Sequence, residues 1–183
     1  KTDAPAVVYV PPTVEADNND EASPPPPPPV IQADNTCQGF AQAVYSITYG
    51  AGAGFGQNDF PNIVLGAPHG YGADQGSLNV FSLGNHGEIV LDMESCPIVD
   101  GNGVDFIVFE NPFYINGNQS APYAELASVS VSENGINFVE FNCNSQSYPY
   151  DGCAGWHPVF SSVDNSISPF DASVAGGDQF DLA

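Results

Sequence analysis

Basic residues are all but missing from this chain. Its 183 residues include a single Lys+Arg, which is Lys1, against 22 Asp and Glu, for a formal net charge of −21. Nucleic acid is disfavoured as a partner, because phosphate binding depends on Lys and Arg, and anionic membranes are disfavoured for the same reason. No run of 18 apolar residues occurs, so no membrane insertion is expected. C-x-x-C spacing is absent and the three histidines, His69, His86 and His157, are scattered, which argues against zinc. The N-terminus lacks the basic and apolar regions of a signal peptide, as expected of a mature chain whose signal has been removed. Helical periodicity is scarce, with Gly39 to Val44 reading at most as a short helical turn.

What is present reads as β-structure. Hydrophobic residues make up 42% of the chain and aromatics 11%, enough for one substantial core, so the chain reads as a single domain with an appendage. From Gln38 onward, "VYSITYG", "GSLNVFSLG", "GEIVLDM", "VDFIVFE", "AELASVSVSE" and "INFVEFN" follow one another as strand-like segments. In "ELASVSVSE", Leu126, Ser128, Ser130 and Ser132 fall on one face and Ala127, Val129 and Val131 on the other, the pattern of a half-buried antiparallel strand. Asn134-Gly135 is the pair favoured in a type I′ hairpin, and "GNHGE" reads as a second turn. The expected fold class is all-β, a jelly-roll-like β-sandwich or barrel.

Ahead of that domain, residues 1–10 carry a detached strand, "AVVYV", formed by Ala6, Val7, Val8, Tyr9 and Val10 and bracketed by Pro5, Pro11 and Pro12. Residues 11–36 are an acidic, Pro-rich linker with consecutive prolines from Pro24 to Pro29, and residues 37–183 form the sandwich. A proline run adopts polyproline II at roughly 3.1 Å per residue. Twenty such residues reach about 60 Å, against a domain diameter on the order of 40 Å. The linker is therefore long enough to carry the strand past its own domain.

The four cysteines suit two disulfides in an oxidising compartment. Cys143 and Cys153 flank "NSQSYPYDG", a turn-rich loop, and Cys37 then joins Cys96. The acidity also suits calcium, which takes six to eight oxygens. Glu110 and Asn111, at the end of an apolar strand before Pro112, are candidate ligands together with Asp178 and Asp181. Asn118-Gln119-Ser120 is a glycosylation sequon, Asn118 being the acceptor, and the linker suits O-linked sugar. "GAGAGFG", from Gly50 to Gly56, matches no phosphate-loop motif in register and reads as a tightly turned loop. A glycosidase-type carboxylate pair would come from Asp105, Glu110 and Glu125, with His157 beside Trp156 lining a sugar pocket. The chain is expected not to be an enzyme, and no organic cofactor is implied.

The segments "IVLGAPHG", "GSLNVFSLG", "GEIVLDM", "DGNGVDFIVFENPF", "AELASVSVSENGINFVEF", "CAGWHPV" and "AGGDQFDLA" resemble, in their order, a family of secreted bacterial cell-surface β-sandwich proteins. The resemblance covers most of the globular part. It implies fold and extracellular location, and it carries over no catalytic residue. In that family the segment like "GGDQFDLA" runs on into a further hydrophobic strand, whereas this chain stops at Ala183. The expectation is an incomplete sandwich, completed in trans by an N-terminal strand. Each buried backbone group left unpaired in such a groove costs on the order of 1–3 kcal/mol, a strong drive to recruit a strand. The arrangement resembles that of extracellular, often glycosylated fibrils whose protomers exchange a donor strand. The chain is thus expected to be a secreted structural subunit of a homopolymeric, pilus-like filament. The alternative is a monomeric calcium-dependent carbohydrate-binding adhesin, with Trp156, Tyr148 and Tyr150 as stacking platforms.

Overall fold

A computed structural model describes residues 6–9, 39–93 and 96–183. Nine strands run through it in the order β1 (Ala6–Tyr9), β2 (Ala43–Thr48), β3 (Glu88–Asp92), β4 (Phe106–Val108), β5 (Phe113–Tyr114), β6 (Pro122–Tyr123), β7 (Val129–Ser132), β8 (Val139–Glu140) and β9 (Asp178–Phe180). Among the described residues the only helical pieces are three 3-10 turns, so the chain is all-β as its composition implies. The strands form a five-stranded sheet, β2-β3-β1-β7-β8, and two small ladders, β4-β9 and β5-β6.

β2 and β3 pair antiparallel from Ala43↔Asp92 to Thr48↔Glu88, with a register shift between Val44 and Ser46. The "GNHGE" turn leading into β3 forms as expected, with Gly84 and His86 at positive φ and the Gly87 N–H bonded to the Gly84 carbonyl. "GAGAGFG" packs its backbone tightly. Gly56 has φ of 75°, and a Cβ on Gly50 would overlap the Asn85 carbonyl, so glycine is required at both positions.

Four local expectations are corrected. "GSLNVFSLG" forms no strand, because its backbone bonds to loops: the Ser82 N–H to the Phe55 carbonyl, and the Leu83 carbonyl to the Gly50 N–H. Gly39 to Val44 is not helical and leads into β2 instead. β7 is not half-buried. Val129 is fully enclosed, but Ser130 and Ser132 on the other face are buried too. The β7–β8 hairpin does not close on a two-residue Asn-Gly turn. Gly135 has positive φ and Asn134 does not, and the longer loop is tied by Asn134 Oδ1, which accepts from the N–H groups of Ile136 and Asn137.

The core forms where β7 meets β4 and β9. Ala127, Val129, Ala154 and Phe180 are buried together, with Phe106, Val108 and Phe141 packed against them. Phe106 and Phe180 stack at 5.0 Å between ring centroids. The β4–β9 register, Phe106↔Phe180 to Val108↔Asp178, brings the C-terminal segment against "VDFIVFE" and positions the acidic groups described next.

Candidate functional site

β1 occupies the middle of the five-stranded sheet. It runs parallel to both neighbours, with Val7↔Val90, Val8↔Leu91 and Tyr9↔Asp92 on the β3 side and Ala6↔Val129 through Tyr9↔Ser132 on the β7 side. Both flanking strands belong to the same chain. Residues 6–9 of the expected donor segment form a strand, and it lies between β3 and β7. Ala6 and Val8 share register rows with Val129 and Val131, while Val7 and Tyr9 share theirs with Ser130 and Ser132. Val10 and residues 11–36 lie outside the described residues. Parallel pairing on both sides requires a long crossover, because no tight turn joins β1 to either neighbour.

Asp178 at the start of β9 is almost fully enclosed. Its carboxylate accepts from three successive backbone N–H groups, Gly155 at 2.7 Å and Trp156 and His157 at 3.3 Å each. It also bonds to His157 Nδ1 at 2.8 Å. A carboxylate with this many donors is a structural clamp: it fixes the Gly155–His157 turn and aims the half-exposed His157 ring. The His157 ring lies 3.5 Å from the Trp156 ring, centroid to centroid.

The four expected calcium ligands do not come together as one set. Asn111 is held by Ser77, whose N–H donates to Oδ1 at 2.6 Å and whose carbonyl accepts from Nδ2 at 3.1 Å. Glu110 instead lies in the field of Asp178 and Glu125. Burial among surrounding protein pushes its carboxyl up to about 7, and those two charges push the same way. Glu110 is nonetheless exposed to solvent, so the crowding is that of the protein around it and water screens much of this repulsion. Asp181 joins Asp100 and Asp105, with ligand oxygens within 4.8 Å of one another. Asp105 also accepts from the N–H groups of Gly101 and Leu182, both at 2.7 Å, tying "DGNGVD" to the end of the described chain. Asp100 escaped sequence reasoning, although its signal was there in two acids and an Asn spaced by turn glycines.

Of the expected carboxylate pair, Asp105 thus serves the Asp100–Asp181 group while Glu110 and Glu125 stand by Asp178. The Cys143–Cys153 disulfide forms as expected. Cys96 is disulfide-bonded, and Cys37, its expected partner, lies outside the described residues. Tyr148, Tyr150 and Trp156 do come together, edge to face, with centroids 5.7 to 6.1 Å apart. Trp156 is buried and Tyr148 exposed, so Trp156 is held as packing and Tyr148 offers the open ring. Burial raises the Tyr114 pKa, and Tyr148 and Asp178 add to the shift. Asn118 sits in an exposed loop, its Oδ1 accepting from the Ser120 N–H.

No protein-family model, curated protein or solved structure matches the chain. No described helix is long and apolar enough to cross a membrane. The intramolecular disulfide is compatible with an oxidising, extracellular setting.

Proposed function

We propose that this protein is a structural, non-enzymatic subunit of an extracellular helical filament, in which the N-terminal strand of one copy completes a jelly-roll-like sandwich in the next. One observation carries the reading: a four-residue strand fills the centre of a sheet, parallel to both neighbours, and an acidic, Pro-rich linker stands between it and the rest of the domain. The partners of such a strand are distant in sequence. Another copy presents the same groove in the same register, and a stiff spacer reaches it. Repeated head to tail, the exchange builds an open fibre, as heterologous contacts do when they do not close. The motif resemblance to secreted surface proteins supports the same reading. Glycans at Asn118 or the linker would lie on the filament surface, and a structural calcium ion would be held by Asp100, Asp105 and Asp181.

Negative-stain electron microscopy of the full chain beside a chain lacking residues 1–10 tests it. Filaments are expected only with the N-terminus present. Long filaments from the truncated chain, or compact monomers from both, would overturn it.

The aromatic cluster favours a second reading, a carbohydrate-binding module. Tyr148 is open beside Trp156 and His157, which line a cavity of about 540 Å³. Binding of monomeric protein to a glycan array, lost in Tyr148→Ala, is its expected mark.

A further inference from the structure

A second cavity, of about 620 Å³, is lined by Ile89, Leu91 and Met93 on one side and by Phe106, Val108 and Glu110 on the other. That volume lies within the range of roughly 300–1,000 Å³ typical of small-molecule sites. Most of the residues in the wall are aliphatic or aromatic.

His69, Gln75, Asn79 and Asp105 are polar members of that wall, and a further one is the solvent-exposed Glu110. Its neighbour Asn111 is fully engaged with Ser77, whereas Glu110 has no hydrogen bond or ion pair among the described residues. Residues 39–183 contain neither Lys nor Arg, so the basic groups of the domain are three imidazoles, of which His69 lines this cavity. His157 is bonded to Asp178. Asp178 and Glu125 add negative charge around Glu110, and the whole chain carries −21. An anionic ligand is repelled by this field. A primary ammonium supplies both three N–H donors and the missing charge.

We propose that this cavity binds an amphiphilic amine, with its apolar body between β3 and β4 and its ammonium group on Glu110. The cavity walls set the length and girth of the apolar part, and Glu110 sets the head group.

Calorimetric titration of the full chain with n-decylamine, n-decanol and n-decanoate, which share one apolar body, tests the head group directly. Decylamine is expected to bind one per chain, about tenfold or more tighter than decanol, as a charge-assisted hydrogen bond implies, with decanoate weakest. Glu110→Gln should erase the amine's advantage over decanol, with circular dichroism showing that the variant is folded. Leu91→Trp, which fills the cavity, should abolish binding of both. Equal affinity for amine and alcohol, no binding of decylamine, an advantage that survives Glu110→Gln, or binding indifferent to Leu91→Trp would each overturn the proposal. The head-group series on the unsubstituted chain decides even if a variant fails to fold.

Discussion

Asp178 and Glu110 show how differently two acids of one strongly acidic chain are treated. Asp178 is enclosed and receives four donors. An Asn there turns an N–H₂ group toward N–H groups that need an acceptor, so Asp178→Asn is expected to destabilise the fold by about 2–3 kcal/mol, read as a lower urea midpoint. Glu110 has the opposite balance. Its pKa rises from the ordinary 4.5 to about 7, so the folded chain holds this proton more tightly than the unfolded one. As pH rises from 4.5, the unfolded chain releases the proton first, and this group's contribution to stability falls until about pH 7. Glu110→Gln is expected to flatten that decline, seen as a smaller difference in urea midpoint between the two ends of the window. Both acids stood out in the sequence as oxygen donors beside turns, but their opposite environments did not. Gly155 to His157 must be folded back onto residue 178 before either becomes clamp or orphan.

β1 depends on backbone pairing with two strands more than eighty residues away in the chain. Proline is confined to sheet edges and bulges because it lacks the N–H that a central strand must donate. Val8→Pro is therefore expected to expel the strand. Each backbone partner left unsatisfied costs on the order of 1–3 kcal/mol, roughly a tenfold to hundredfold loss of occupancy. Amide exchange at Leu91 and Ser132, whose backbone groups face β1, should quicken accordingly. The "AVVYV" segment was legible because β-branched and aromatic residues between prolines form a strand by local preference. Its neighbours were not, since parallel pairing leaves no turn motif in the sequence. The same limit hid the double burial of β7: alternation of Ser and Val marks two faces, but does not record that both are covered.

For the whole molecule, the register offers a direct reading of exchange. Val8↔Leu91 are Cα partners, so the double variant Val8→Cys/Leu91→Cys places two thiols within bridging reach. Exchange between copies gives a ladder of covalent multimers on non-reducing gels, whereas a strand closed on its own domain gives a monomer band. Charge governs how fast copies meet. Subunits carrying −21 each repel one another, and salt shortens the reach of that repulsion to about 8 Å at physiological ionic strength. Filament growth is expected to speed up severalfold between low and physiological salt, as followed by light scattering.

The β class, the strand at residues 6–9, the Cys143–Cys153 bridge and the acidic surface could all be read from composition or short-range pattern, because each depends on neighbours in sequence or on sums over the chain. The place of that strand between β3 and β7, the clamp on Asp178, the grouping of Asp181 with Asp100 and Asp105, and the isolation of Glu110 required the fold. They arise from contacts between segments far apart in the chain, which packing brings together and no local periodicity records.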